Sequence, residues 1–351
     1  MRIVVNDVAA TPESGGVYSI LEDFYNSIIK SNDKNEWFFI LSGKYFKETP
    51  TVRIIVRKDL KKYKIKKFFF ELFAGHRFIN NLNPDVYISL QNIATCGIKA
   101  DKQIVYLHQP IPFQKEKEFS FFKKGEKKLA FYQKIVGRFI KYTLHKVQPK
   151  IIVQTQWMKE AVIDQCKVTP NIILVSHPRV PRNGKTIFNG KGDKFFYPAS
   201  NFMYKNHQLI FDAINDLNDN NYKFKVDFTL NKSQLPFRSE HIKYIGHISR
   251  HQVMDMYKEY VLIFPSYIES FGLPLIEAAI SADIILAADT TFSRELLKNY
   301  NNVYFYPYND DKKLAKLIKK VINKDIISNH KSLDLIDNGE DLIATIRKCL
   351  N

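Results

Sequence analysis

Two carboxylates, Glu269 and Glu277, stand eight positions apart in residues 264–279, and each occupies a place where an acid needs a partner. Glu277 lies in the apolar run Leu275-Ile276-Glu277-Ala278-Ala279, where its burial is costly unless hydroxyl or N–H groups meet it. Glu269 lies in the loop ahead of that run. Upstream, the apolar residues 261–264 are closed by Pro265 and Ser266, so they read as a buried strand that stops abruptly. Gly272 then frees the backbone, and Pro274 stands where a first helical turn can begin without its N–H. A strand feeding a glycine loop and a helix start leaves N–H groups unpaired at a positive dipole end, which suits phosphate. The alternative is an ordinary strand, loop and helix with one capping and one buried glutamate.

The Glu-x7-Glu spacing, with Phe271-Gly272-Leu273-Pro274 between the acids and Pro265-Ser266 upstream, resembles the signature of the retaining GT-B glycosyltransferases of family 4, the group 1 type. That resemblance implies an α/β GT-B fold: two Rossmann-like doubly wound domains facing across a cleft, with a C-terminal helix crossing back. It implies transfer of a hexosyl residue from a nucleotide sugar to a hydroxyl of a saccharide acceptor. Glu277 would hold the donor ribose, Glu269 would address the transferred sugar, and Ser270, Phe271, Gly272 and Leu273 would offer backbone contacts. Lys205, in a Lys-Asn segment after a strand at 194–198, matches the lysine that meets the donor diphosphate. Ser200 departs from the pattern by standing where an arginine is usual, so Arg179 or Arg182 would have to replace that cation. The glycine turn before a helix near residue 17 matches the family's donor-approaching loop, which singles out Gly16 and Gly15. His108, at a strand end, matches a histidine that reaches the sugar, and the Gly246-His247 turn matches backbone that meets the base. Glu269, His108 and Lys205 are therefore the expected catalytic set. No Asp-x-Asp occurs, which fits phosphate handling by lysine and helix dipole, with neither metal nor other cofactor expected.

The elements that must position these groups follow from length and pattern. A chain of 351 residues with 45% hydrophobic and 14% aromatic content suits two α/β domains, divided here as 1–178 and 179–351 by a Pro- and Gly-containing basic linker. Predicted strands are 1–6, 37–41, 52–56, 85–89, 103–107, 151–153 and 172–175 in the first half. In the second they are 194–198, a strand followed by a turn within 242–249, then 261–264, 284–286 and 303–306. Strands alternate with amphipathic helices in both halves, so each sheet should be parallel and doubly wound. Residues 333–350 could supply the terminal helix.

No apolar run approaches the roughly 20 residues needed to span a bilayer, and residues 1–6 go directly into a strand, so neither a signal nor a transit peptide is expected. Cys96, Cys166 and Cys349 match no metal spacing and read as free thiols in a reducing cytoplasm. The net charge is +17. Residues 58–78 hold seven Lys or Arg against two acids, and residues 115–150 eleven against three. In the first window lysines interleave with Phe68, Phe69, Phe70 and Phe73, and in the second Leu129, Tyr132, Val136, Phe139 and Ile140 form a helical stripe. The first window reads either as a solvated face with a buried back or as a contact with an anionic membrane surface, and the second either as core packing of its stripe or as membrane or acceptor docking.

The favoured reading is a cytoplasmic enzyme, peripheral at the inner face of the plasma membrane. Its acceptor would be a saccharide, lipid-diphosphate-linked, in assembly of a surface polysaccharide such as O-antigen or capsule. A soluble glucan or small glycoside is the alternative acceptor. A non-catalytic GT-B partner also stays open because of Ser200. Nucleic acid is not an expected partner, because the charge lies outside the strongest motif and no recognisable binding motif is present.

Overall fold

The computed structural model describes residues 1–14, 16–180, 188–217, 222–334 and 339–350. The chain divides into two compact units, one of Met1–Arg179 with Gly339–Asn351 and one of Val180–Asn338. In the first unit β1 (Arg2–Asp7), β2 (Glu36–Leu41), β3 (Val52–Val56), β4 (Val86–Ser89), β5 (Lys102–Leu107), β6 (Lys150–Val153) and β7 (Ile173–Val175) form a seven-stranded sheet in the order β3-β2-β1-β4-β5-β6-β7. In the second, β8 (Lys194–Tyr197), β9 (Lys225–Phe228), β10 (Ile242–Tyr244), β11 (Val261–Phe264), β12 (Ile285–Ala288) and β13 (Val303–Tyr306) form a six-stranded sheet in the order β10-β9-β8-β11-β12-β13. Every neighbouring pair in both sheets is parallel.

Parallel strands need long crossovers, and the helices that supply them cover both faces of a sheet. Hence β4, β11 and β12 are buried at every residue. Successive side chains of β1 enter different clusters: Ile3 and Val5 pack with Phe24 and Trp37, while Val4 packs with Phe70 and Tyr87. β9 has no counterpart among the predicted strands, because Asp227 interrupts its short apolar run.

The end of the chain needs two corrections. The terminal helix covers only Leu342–Leu350, while the Leu333 N–H donates to the Ala279 carbonyl in the second unit. Residues 339–351, numbered with the second half in the 179–351 division, pack in the first unit. Ile343, Ile346 and Cys349 enter the cluster built on Phe24 and Trp37, and Arg347 Nη2 lies 2.8 Å from Asp33 Oδ2.

Both basic windows form helices interrupted by a π turn. Phe70–Ala74 joins the helices Lys64–Phe69 and Gly75–Asn80, and Tyr132–Val136 joins Lys127–Phe131 and Gly137–Val147. The Phe68 and Phe139 rings meet edge to face at 5.0 Å, and of the predicted stripe Tyr132, Val136, Phe139 and Ile140, though not Leu129, join the inward cluster. Phe69, Phe73 and Phe131 face outward, each more than half exposed.

Candidate active site

The second sheet reverses its strand order between β8 and β11. In an open parallel sheet the loops leaving the carboxyl ends at such a reversal diverge and form a crevice for ligands. From β8 the chain enters a short 3-10 turn, Met203–Lys205, and from β11 it enters residues 265–272. Hydrogen bonds stitch the two loops together. The Tyr204 carbonyl accepts from the Tyr267 N–H at 3.1 Å and from Ser266 Oγ at 3.3 Å. Asn206, in the left-handed region at φ 59°, donates its amide to the carbonyls of Pro265 and Tyr308. Tyr197, from β8 itself, donates its hydroxyl to the Lys205 carbonyl at 2.7 Å.

That lattice brings Lys205 and Glu269 together. Lys205 Nζ lies 2.5 Å from Glu269 Oε1, and Ser266 Oγ donates to the same oxygen at 2.7 Å. Charge-assisted bonds of this kind are short and strong when water is largely excluded, and both side chains are mostly buried.

Three residues beyond Glu269 the chain turns into the helix Leu273–Ile280. Its N-cap, Gly272, has φ 88°, a backbone state that a side chain strains. Pro274 sits in the first turn, as its missing N–H allows. Phe271 is buried, while Ser270 and Leu273 are half-buried. One turn into the helix lies Glu277, 5% exposed. Its partner is Arg250, whose Nη2 lies 2.8 Å from Glu277 Oε1. Burial pushes the Glu277 carboxyl above the ordinary range, and the Arg250 guanidinium opposes that rise. Arg250 opens the helix Arg250–Met256, which begins with a capping box between Ser249 and Gln252. Gly246, at φ 72°, and exposed His247 precede it.

Other predicted residues lie elsewhere or stay apart. Ser200 is exposed in the loop between β8 and Met203. Arg179 pairs at 3.6 Å with Asp341 inside the first unit. Gly15 and Arg182 fall outside the described residues. Gly16 opens the helix Gly16–Lys30, with open space where a Cβ would stand. His108 follows β5, where Asn92 Oδ1 accepts from the N–H groups of His108 at 2.7 Å and Gln109 at 2.9 Å. Burial pushes the His108 imidazole down to about 4, so it is neutral near pH 7. Among the described residues no group of three or more His, Cys, Asp or Glu is placed to hold a metal ion.

Three residues escaped sequence reasoning. Arg250 does so because its partner is 27 positions away, and the only local sign is a cation in a first helical turn. Asp7 ends β1, at the reversal between β1 and β4 in the first sheet. Gln91 donates its amide to Asp7 Oδ1, and burial pushes the Asp7 carboxyl up to about 7. An acid closing an apolar strand is the signal that could have singled it out.

Residues 183–341, which hold Lys205, Arg250, Glu269 and Glu277, match the family of glycosyl transferases group 1. The chain therefore carries a glycosyltransferase group 1 domain. Solved structures share its fold at low identity. WaaG, a glycosyltransferase involved in lipopolysaccharide biosynthesis, superposes with a TM-score of 0.62 at 10% identity, over 92% of this chain and 90% of that one. The lipopolysaccharide outer core galactosyltransferase WaaB, in its apo form, gives 0.58 at 14% identity, over 94% and 92%. HepE from Anabaena, in complex with UDP, gives 0.56 at 15% identity, over 93% and 91%. The two parallel sheets with flanking helices are the GT-B architecture. No curated protein matches the sequence.

Proposed function

We propose that this glycosyltransferase moves a hexosyl residue from a nucleoside-diphosphate sugar to a hydroxyl of a saccharide acceptor, with retention at the anomeric carbon. The observation that carries the reading is the Lys205 ammonium at the strand reversal, 2.5 Å from Glu269, which stands three residues ahead of Gly272, the N-cap of the helix Leu273–Ile280. As the bond from the anomeric carbon to the diphosphate breaks, negative charge grows on the leaving oxygen. A fixed ammonium and a helix N-terminus are the groups that steady it. Glu269 then addresses the transferred sugar. Glu277 accepts the vicinal hydroxyls of the donor ribose, a bidentate task for a carboxylate. The roles of His108 and Gly16 toward the sugar, and of Gly246 and His247 toward the base, rest on the family resemblance. Because lysine and helix dipole meet the diphosphate, turnover needs no divalent metal and persists in EDTA.

For the acceptor, the reading is a lipid-diphosphate-linked saccharide used in surface polysaccharide assembly at the inner face of the plasma membrane. Phe122 is 96% exposed, beside Lys123 and Lys124, and the outward Phe69 and Phe73 rings stand 5.3 Å apart on a lysine-rich helix. Aromatic rings flanked by ammonium groups suit the headgroup layer of an anionic bilayer. No helix among the described residues is long and apolar enough to cross a membrane.

Isothermal titration with UDP, GDP and ADP, followed by a hydrolysis assay with the sugar conjugates of whichever binds, tests the donor. HepE, with UDP in its structure, makes UDP the first probe. Selective heat that disappears in Lys205→Ala supports the reading, and absence of binding by all three sinks it. Sedimentation with phosphatidylglycerol vesicles at low salt tests the membrane assignment. Failure to co-sediment moves the acceptor to the soluble glucan or small-glycoside class.

A further inference from the structure

Arg250 occupies an unfavourable place for a cation. It stands in the first turn of its helix, where the macrodipole favours negative charge, and that turn contains no acid. Its guanidinium nevertheless reaches Glu277 Oε1 at 2.8 Å, with the arginine side chain half exposed and the glutamate side chain almost fully buried. The other group facing Glu277 is the hydroxyl of Tyr257, which is fully buried and itself faces Asp283. Asp283 lies just before β12 and is also fully buried. A phenol and a second acid do not neutralise a carboxylate, whereas Arg250 does. An ionised carboxylate in such a site persists only with a cation or several N–H donors.

We propose that Arg250 is a positioning residue for Glu277, keeping that buried carboxylate ionised and fixed so that it can accept two hydroxyls from the donor. This rests on the proposed function, in which Glu277 is the ribose acceptor. A protonated carboxyl has lost one acceptor site and carries a donor in its place, so it receives a vicinal diol poorly. Arg250 thereby makes donor binding insensitive to pH across the neutral range. It also supplies charge beside the donor site, in a chain where Ser200 takes the place of the usual arginine. The assignment differs from a direct phosphate contact, because Arg250 acts through Glu277.

Titrate UDP, GDP and ADP into the full chain from pH 5.5 to 8.5, using wild type, Arg250→Gln, Arg250→Lys and Glu277→Gln. Wild type should show a flat affinity profile, and Arg250→Lys should restore most of it. Arg250→Gln should bind about tenfold more weakly per pH unit below the new titration point of Glu277, recovering as pH rises. Glu277→Gln should be weak at every pH. A constant loss in Arg250→Gln, independent of pH, overturns the proposal. Melting curves over the same range separate this failure from failure of the donor reading. Raised above its unfolded value, the Glu277 carboxyl contributes stability that is lost as pH rises. Arg250→Gln should therefore lose stability with pH more steeply than wild type, and the added Glu277→Gln change should remove the slope. If no nucleotide binds wild type while these slopes hold, the donor reading fails and the coupling stands. Parallel slopes in wild type and Arg250→Gln overturn the coupling.

Discussion

Lys205 and Glu269 pair with each other, so on the proposed function a donor diphosphate has to draw the ammonium toward itself or share it. Either way the cation's contribution is that of a hydrogen bond to a charged group, roughly 1.5–3 kcal/mol. Lys205→Ala should therefore weaken nucleoside-diphosphate binding roughly 10- to 100-fold by calorimetry. Glu269→Gln should leave that affinity nearly unchanged and lower turnover. Asp7 offers a separate test in the first unit. Its carboxyl moves from 3.8 to about 7 through burial, with Lys61 and Lys67 and the bonds from Ala10 and Gln91 opposing the rise. A carboxyl raised in the folded state contributes stability below pH 4 that is lost as pH climbs through 7. By that difference the loss approaches roughly 4 kcal/mol at pH 8. Urea denaturation of Asp7→Asn should show a shallower decline between pH 5 and 8 than wild type. The loop and helix settings of Glu269, Glu277 and Lys205 were legible in the sequence because a motif fixes their local context. Arg250 and Gln91 were not, because each is defined by a partner in a different crossover.

The strand, glycine and helix pattern of residues 261–280 was readable because each step has a local cause: an apolar run, a positive φ at Gly272, and a proline in the first turn. The π turns had no such signature, since apolar spacing near them fits an α-helix equally well. Their mark is the glycine that closes each one. At Gly75 an added Cβ would stand 2.5 Å from the Phe70 carbonyl oxygen, the acceptor for the Gly75 N–H. Gly75→Ala should cost about 1–3 kcal/mol in chemical denaturation, as the turn shifts to relieve the clash. Gly16→Ala is the matching control. With nothing within 4 Å of its Cβ position, it should leave stability unchanged, and any fall in its turnover would report a ligand approaching that backbone.

The division into two α/β halves followed from length and from alternating strand and helix patterns, and the structure contains two parallel sheets. The return of residues 339–350 to the first unit followed from the family resemblance and not from pattern, because an amphipathic nonapeptide does not state which core it will join. Ile346, 1% exposed, sits in the cluster with Phe24 and Trp37. Ile346→Ala should lower stability by about 2–5 kcal/mol, with the loss seen in the tryptophan emission of Trp37. The second unit is thus an insertion, entered after Arg179 and left before Gly339. During synthesis the inserted unit is complete on the ribosome before the surrounding one can close. The part of that lobe made ahead of the insertion must therefore wait, holding an unfinished apolar seam until Ile343, Ile346 and Cys349 emerge.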